Sequence, residues 1–221
     1  MAHRTGLTKR VQADLPAALA HVRWIGGGSG AGKSTIARRL AQAHGAVVYS
    51  CDAAMSEHAK RCPPGQCPKL DAFKAATMDE RWVNDPPERM LATFHWFAGE
   101  CFDYIADDLS ELPPDQPVIA EGFRLLPDLV APLLARPANA LWLLPTPAFR
   151  SMALEARGDT WAIAAQTSNP TRAHANLMAR DALFTDRLRA ECAARGLQTL
   201  SGTPAMSEDQ LFGAVDRHLF A

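Results

Sequence analysis

The clearest chemical pattern in the chain is a glycine-rich stretch near its start, Gly27-Gly28-Ser29-Gly30-Ala31-Gly32-Lys33-Ser34. It matches G-x-x-x-x-G-K-[ST] at every fixed position. Glycines in such a loop let successive backbone N–H groups point at phosphate oxygens, and the Lys33 ammonium adds a positive charge. The Ser34 hydroxyl suits Mg²⁺, and Thr35 is either a phosphate contact or an ordinary helix residue. The stretch predicts a site for ATP and Mg²⁺.

The elements around this stretch are those that a phosphate loop needs. Val22-Arg23-Trp24-Ile25 is an apolar run typical of a buried strand. Apolar residues at helical spacing follow the loop and end at Gly45, where a helix C-terminus is expected. Ala46–Ser50 reads as a second strand. The first 52 residues therefore predict a strand–loop–helix–strand unit whose helix begins at the lysine.

Strands and helices alternate along the rest of the chain. Further strands are predicted over Pro117–Ala120, Leu141–Leu144 and Leu197–Leu200, and helices over Glu88–Leu109 and Ala173–Arg195. This alternation predicts an α/β fold: a five-stranded parallel sheet with helices on both faces. We expect a single domain over residues 1–221, with a core of 22–52 and 115–221. A helical acceptor-binding insertion would occupy 53–112, and a lid would lie within 150–180.

Composition limits the classes of function. The chain has 221 residues and a formal net charge of −1, a balance that argues against a dedicated nucleic-acid binder and against a polybasic membrane anchor. The sequence shows neither an apolar run long enough to cross a membrane nor a signal peptide. We expect a cytoplasmic protein that acts on a small molecule, as a monomer or a homodimer.

Two carboxylates follow predicted strands, where ligands of parallel sheets bind. Asp52 comes just after the second strand, either as a base that deprotonates an acceptor hydroxyl or as a helix N-cap. Glu121 ends the third strand and is followed by Gly122, which permits close approach. It holds Mg²⁺ through water, binds the acceptor, or forms an ion pair with Arg124.

These pieces together resemble the P-loop kinases of small molecules, most nearly the uridine kinase, phosphoribulokinase and pantothenate kinase group. The matching residues are the loop, Asp52, Val118-Ile119-Ala120-Glu121-Gly122 and Arg180-Asp181. The resemblance implies the P-loop NTPase fold, Asp52 as catalytic base and Arg180 as a lid arginine that screens the transferred phosphoryl group. Arg180 also lies beside the apolar stripe of its helix, so it could instead pair with a nearby acid.

The acceptor pocket is expected from the insertion. Trp96 lies off the apolar stripe of the predicted helix, on a face shared with Glu100, and is either a stacking platform or a packing residue. Arg81 and Arg124 are candidate contacts for the acceptor. Cys51, His58, Cys62 and Cys67 raise three alternatives: a zinc site of unfamiliar spacing, a Cys62–Cys67 disulfide, or unlinked thiols.

The function predicted from these residues is Mg²⁺-dependent transfer of the ATP γ-phosphate, in line, to a hydroxyl of a nucleoside- or sugar-like metabolite. A nucleoside monophosphate kinase is an alternative, with Arg81, Arg124 and a lid arginine on the acceptor phosphate. A regulatory NTPase is a second alternative. Leu144-Pro145-Thr146-Pro147 lacks the guanine-reading N-K-x-D pattern at the fourth strand, which argues against it.

Overall fold

The computed structural model describes residues 15–157 and 162–220. Its centre is one sheet of five parallel strands in the order β2-β3-β1-β4-β5. The strands are β1 (Val22–Gly27), β2 (Val47–Ser50), β3 (Val118–Glu121), β4 (Ala140–Pro145) and β5 (Thr199–Gly202). The predicted α/β class and the five parallel strands are confirmed.

Nine α-helices connect and cover these strands in the described part of the chain. They are α1 (Lys33–His44), α2 (Met55–Arg61), α3 (Pro68–Ala75), α4 (Pro87–Thr93), α5 (Asp103–Ser110), α6 (Pro127–Val130), α7 (Pro147–Arg157), α8 (Pro170–Arg195) and α9 (Glu208–Phe220). A π-helical turn spans Glu80–Asn84, and 3₁₀ turns span Ala131–Leu133, Pro137–Asn139 and Ala164–Gln166. Within residues 15–157 and 162–220, no helix is long and apolar enough to span a bilayer.

The core lies on both faces of the sheet, because successive strand side chains point to opposite sides. On one face, Ile25 and Leu143 pack with apolar residues of α1 and α9. On the other, Trp24 and Trp142 pack with apolar residues of α5 and α8. Helices therefore cover both faces of the sheet, as the unbroken apolar runs of its strands require.

The insertion differs from the prediction in one respect: the helix expected over Glu88–Leu109 is two helices. Helix α4 ends at Phe94, whose backbone is extended, and α5 begins only after Phe102. Between them, Gly99 and Cys101 have left-handed φ angles of 81° and 61°. A residue with a left-handed φ angle cannot continue a right-handed helix. The chain therefore leaves the helix here, although its apolar residues keep helical spacing.

The predicted lid region of 150–180 contains the end of α7, a 3₁₀ turn and the first part of α8. Residues 158–161 lie outside the described residues. Helix α8 begins after Asn169, whose side chain accepts a hydrogen bond from the Arg172 backbone N–H. Pro170 at its first position needs no N–H partner, so this start is well specified by the sequence.

Candidate active site

The strand order brings the predicted site residues to one edge of the sheet. After β1 the chain crosses to β2 on one side, and after the neighbouring β3 it crosses to β4 on the other. Such a reversal leaves a crevice at the carboxyl ends of the two strands. The glycine-rich loop follows β1, and Glu121-Gly122 lies at the end of β3. In the sheet register, Glu121 is opposite both Ile25 and Ser50.

The loop after β1 leads directly into α1. Its last glycine, Gly32, is the N-cap of α1 with a φ of 81°, and it provides no side-chain cap. A helix N-terminus without a side-chain cap presents backbone N–H groups and the positive end of the helix dipole. Lys33 begins the helix and is buried, and its Nζ donates to the carbonyl of Gly28 at 2.8 Å. The ammonium therefore lies over the loop.

Glu121 joins the loop to the second strand. Its carboxylate is only 2% exposed, and each oxygen accepts a hydroxyl hydrogen bond. Ser34 Oγ donates to Oε2 at 3.1 Å, and Ser50 Oγ donates to Oε1 at 2.8 Å. A hydroxyl and a carboxylate oxygen in contact are the hard ligands that Mg²⁺ prefers, so the residues present fit this ion. Arg124, the predicted alternative partner of Glu121, is bonded elsewhere.

Asp52 lies beside this pair, one residue past Cys51 at the end of β2. Its Oδ1 is buried and makes no hydrogen bond to the described residues. Burial raises the pKa of Asp52, and the Glu121 carboxylate adds to this, while the Lys33 ammonium opposes it. The Asp52 side chain does not cap the helix that follows, because the N-cap of α2 is Ala54 without a side-chain hydrogen bond. The N-cap alternative is therefore wrong.

Helices α7 and α8 reach the loop from the other side. A Cβ at Gly28 would lie 2.6 Å from Thr185 Oγ1 of α8, so only glycine permits this approach. On the same helix, Arg180 donates from Nε and Nη2 to Asp181 Oδ1. Arg150 of α7 contacts the other oxygen of Asp181 at 3.0 Å. Two buried guanidinium groups thus share one carboxylate, leaving an excess of positive charge.

Arg180 pairs with an acid, as one of its two alternatives predicted, and it also lines the cavity described below, while its role as a lid arginine stays a prediction. Its guanidinium carbon lies 5.2, 4.8 and 5.0 Å from the ring centroids of Trp82, Phe94 and Phe97. Its Nη1 is buried and makes no hydrogen bond to the described residues. The rings hold the cation in place, and one donor edge stays available.

A cavity of about 440 Å³ adjoins the loop, with Ser29 in its wall. We call it the aromatic cavity, because its wall includes Phe73, Trp82, Phe94, Trp96, Phe97, Phe123 and Phe184. Arg150, Arg180 and Asp181 supply its charged side. A second cavity, of about 510 Å³, shares Phe73, Trp82, Phe94 and Arg180 with it and includes Arg81.

The other acceptor candidates have different surroundings. Trp96 is buried and lines the aromatic cavity. Arg124 stacks on Trp96, with its guanidinium carbon 4.2 Å from the ring centroid. It donates to the carbonyls of Cys51 and Cys101 at 3.1 Å and to Nδ1 of buried His58 at 2.9 Å. The structure therefore places Arg124 behind the cavity wall, where it supports Trp96.

Arg81 and Glu100 make mainly local contacts. Arg81 donates to the Lys74 carbonyl at 3.1 Å and stacks on Phe73. Glu100 accepts from the first backbone N–H groups of α3, at Lys69 and Leu70, 2.9 and 2.8 Å away. Because these N–H groups lack partners within the helix, Glu100 acts as its N-terminal cap. Arg81 lines the second cavity. Glu100 lines neither this cavity nor the aromatic cavity.

The cysteine alternatives resolve in favour of a Cys62–Cys67 disulfide. Cys51 is a buried free thiol at the end of β2. Both nitrogens of His58 are used, because Nδ1 accepts from Arg124 and Nε2 donates to Asp108 Oδ2 at 2.7 Å. The zinc set of Cys51, His58, Cys62 and Cys67 does not form.

A comparison with protein-family models and with curated proteins finds no match to this chain. The geometry of the site and its short motifs are therefore the observations that bear on function.

Sequence reasoning missed Ser50, Asp108 and most of the aromatic cavity. Ser50 was detectable, because parallel pairing of β2 with β3 places it opposite Glu121. The aromatic residues carried no separate signal, since a ring that lines a cavity has the same spacing as one that fills a core. Asp108 binds Tyr49 and His58 across the fold, at 2.6 and 2.7 Å, and no local pattern marks this contact.

Burial of His95 is expected to make the free energy of unfolding depend on pH. His95 is 2% exposed, among the rings of Phe73, Phe94 and Trp96, and burial lowers its pKa from 6.5 to about 3. The unfolded chain binds a proton at this residue below pH 6.5, and the folded chain does not. Stability that is present above pH 6.5 is therefore lost as the pH falls toward 3, by up to about 1.4 kcal/mol per pH unit.

The measurement is urea unfolding at pH values between 6.5 and 4, for the wild type and for His95→Phe and His95→Leu. We expect both variants to lose less stability than the wild type over this range. Equal slopes in all three proteins would contradict a buried neutral imidazole.

Proposed function

We propose that this protein is an ATP-dependent phosphotransferase of the P-loop type, which phosphorylates a hydroxyl of a small ring-containing metabolite. The observation that carries the proposal is that Lys33, Ser34 and Glu121 meet at one sheet edge with Asp52, whose Oδ1 has no hydrogen-bond partner among the described residues. A phosphate loop alone supports nucleotide binding only. A carboxylate of raised pKa beside it supports transfer to an acceptor.

The nucleotide side uses the loop and the start of α1. Backbone N–H groups between Ser29 and Ser34 and the helix dipole would attract phosphate, and Lys33 adds a full positive charge. The Gly28 N–H, by contrast, donates to the Leu143 carbonyl. Ser34 and Glu121 would hold Mg²⁺, which when bound neutralises charge on the phosphates. Thr35 follows on the first turn of α1, so its backbone N–H belongs to the same end of the helix.

Asp52 is the proposed base. Transfer to a hydroxyl requires that its proton be accepted, and a carboxylate of raised pKa is better matched to this task near neutral pH than an ordinary one. The Oδ1 atom is buried and has no hydrogen-bond partner among the described residues, so an acceptor hydroxyl would satisfy it. Gly122 packs closely against this oxygen, since a Cβ at its position would lie 2.9 Å from Asp52 Oδ1.

The acceptor is proposed to occupy the aromatic cavity. Asp52 is not part of the wall of this cavity, so the reacting hydroxyl would have to extend beyond it to reach the base. Rings in the cavity wall favour a planar, partly apolar ligand, because aromatic faces stack on such rings. A nucleoside-like acceptor fits this wall better than a free sugar, which offers mainly hydroxyls. Arg150 and Arg180 suit a negatively charged group at the loop side of the cavity, where phosphoryl charge has to be screened.

The test is a screen for acceptor-dependent ADP release with ATP and Mg²⁺ over nucleosides, sugars and other small alcohols. Lys33→Ala serves as the blank. We expect a ring-containing acceptor to raise ADP release above that blank. No response from any acceptor would count against a kinase, and a response to nucleoside monophosphates alone would favour the monophosphate kinase alternative. That alternative has less support, because the donors of Arg124 bind backbone carbonyls and His58.

A further inference from the structure

Three cysteines converge outside the proposed active site. Cys62 follows α2, Cys67 directly precedes α3, and Cys101 lies in the turn before α5. Their Sγ atoms all lie within 4.8 Å of one another. Cys101 Sγ is 3.3 Å from Cys67 Sγ, although the two residues are 34 positions apart. The sequence pattern could not pair them, because Cys101 reaches the others only through the fold.

The position of Cys101 is fixed by its backbone. Its φ of 61° is the only left-handed angle of a non-glycine residue among the described residues. Its carbonyl accepts from Arg124 Nη2 at 3.1 Å. Leu70, Ala59 and Tyr104 pack around the three sulfurs, so the cluster is partly buried and one side of Cys101 is half-exposed.

Once the Cys62–Cys67 disulfide is reduced, three thiolates converge close to the spacing that Zn²⁺ requires. With Zn–S bonds of about 2.3 Å, thiolates around a tetrahedral ion lie about 3.8 Å apart. The Cys67–Cys101 separation of 3.3 Å is about 0.5 Å shorter than that value. After reduction, Cys62 and Cys67 have to separate further than this pair, because their sulfurs are bonded to each other. The fourth position would be open to water on the half-exposed side.

We propose that Cys62, Cys67 and Cys101 form a three-thiolate Zn²⁺ site that becomes available when the Cys62–Cys67 disulfide is reduced. Two molecules of a low-molecular-weight thiol supply the electrons, giving two cysteine thiols and one disulfide of the reductant. Binding Zn²⁺ then releases the three thiol protons to solvent. The ion would tie the end of α2, the start of α3 and the turn before α5 together. This proposal is independent of the phosphotransferase function.

The test measures zinc bound per chain after reduction, desalting and incubation with Zn²⁺, with affinity from competition against a chromophoric chelator. Cys101→Gly removes one thiolate, and glycine adopts a positive φ without strain, so this variant is expected to fold. Cys192→Ala removes a buried thiol of α8 that lies outside the cluster and is the matched control.

We expect one zinc ion per chain for the reduced wild type and for Cys192→Ala, and none for the oxidised wild type. Cys101→Gly should bind at least ~100-fold more weakly. In the Co²⁺-substituted protein, thiolate-to-metal charge-transfer absorption should be present and should fall in Cys101→Gly. Absence of zinc from the reduced wild type, or equal affinity in Cys101→Gly, would overturn the proposal.

Discussion

Replacing Asp52 with Asn is expected to lower turnover at least ~100-fold, because an amide cannot accept the proton of an acceptor hydroxyl. Nucleotide affinity should change little, since the loop and Lys33 do not depend on this carboxylate. The side chains of Asp and Asn have nearly the same shape, so the packing of residue 52 against Gly122 is kept. Acceptor-dependent ADP release and nucleotide binding, measured separately, distinguish the two effects.

Asp107→Asn is the matched control. Asp107 lies on α5 outside the site, and burial also raises its pKa, so its replacement changes a similar group without touching the loop. Turnover of Asp107→Asn should match the wild type. If Asp52→Asn kept wild-type turnover, Asp52 would have no part in the mechanism.

Gly122→Ala is expected to have the second large effect, on both turnover and stability. A Cβ at this position would lie 2.8 Å from Cys51 Cβ and 2.9 Å from Asp52 Oδ1, and the φ of 151° is one that L side chains rarely adopt. The strand end has to shift, at a cost of about 2 kcal/mol. Displacement of the Asp52 carboxylate should lower turnover ~10-fold or more, since small misplacements of catalytic groups lower the reaction rate strongly.

Urea unfolding and turnover of the same preparation test this effect. Gly213→Ala, inside α9, is the control, because a Cβ there meets only the flexible end of Arg217, at 3.4 Å. That variant should keep activity and be as stable as the wild type or more so. Normal turnover of Gly122→Ala would show that the close packing of Gly122 on Asp52 is not needed.

The sheet and the loop could be predicted because their signals are local. Apolar runs define β1, β3 and β4, and the spacing of Gly27, Gly32 and Lys33 requires no knowledge of distant residues. The positions of Asp52 and Glu121 at one edge followed from parallel pairing alone. For these parts, local sequence and fold agree.

The insertion could not be predicted in the same way, because tertiary contacts override its helical spacing. Phe94 ends α4 and packs on Phe73 and Phe97, while Glu100 leaves the expected helix to cap α3. The contacts of Phe94 with Phe73 and of Glu100 with the start of α3 join residues far apart in the chain, and a periodicity argument considers only neighbours. Glu100 and Trp96, predicted to share a helix face, therefore have unrelated roles.

The hydroxyls of Ser34 and Ser50 hold the Glu121 carboxylate in place at the edge of the sheet. A buried carboxylate without donors would destabilise the fold, yet Ser34 and Ser50 solvate it from within the protein. The dehydration of this group is completed when the chain folds, before any ligand arrives. A cation that engages Ser34 would displace a single hydrogen bond, and Ser50 would still orient the carboxylate. The edge of the sheet is in this sense preorganised, and little of the binding free energy would be lost to rearrangement.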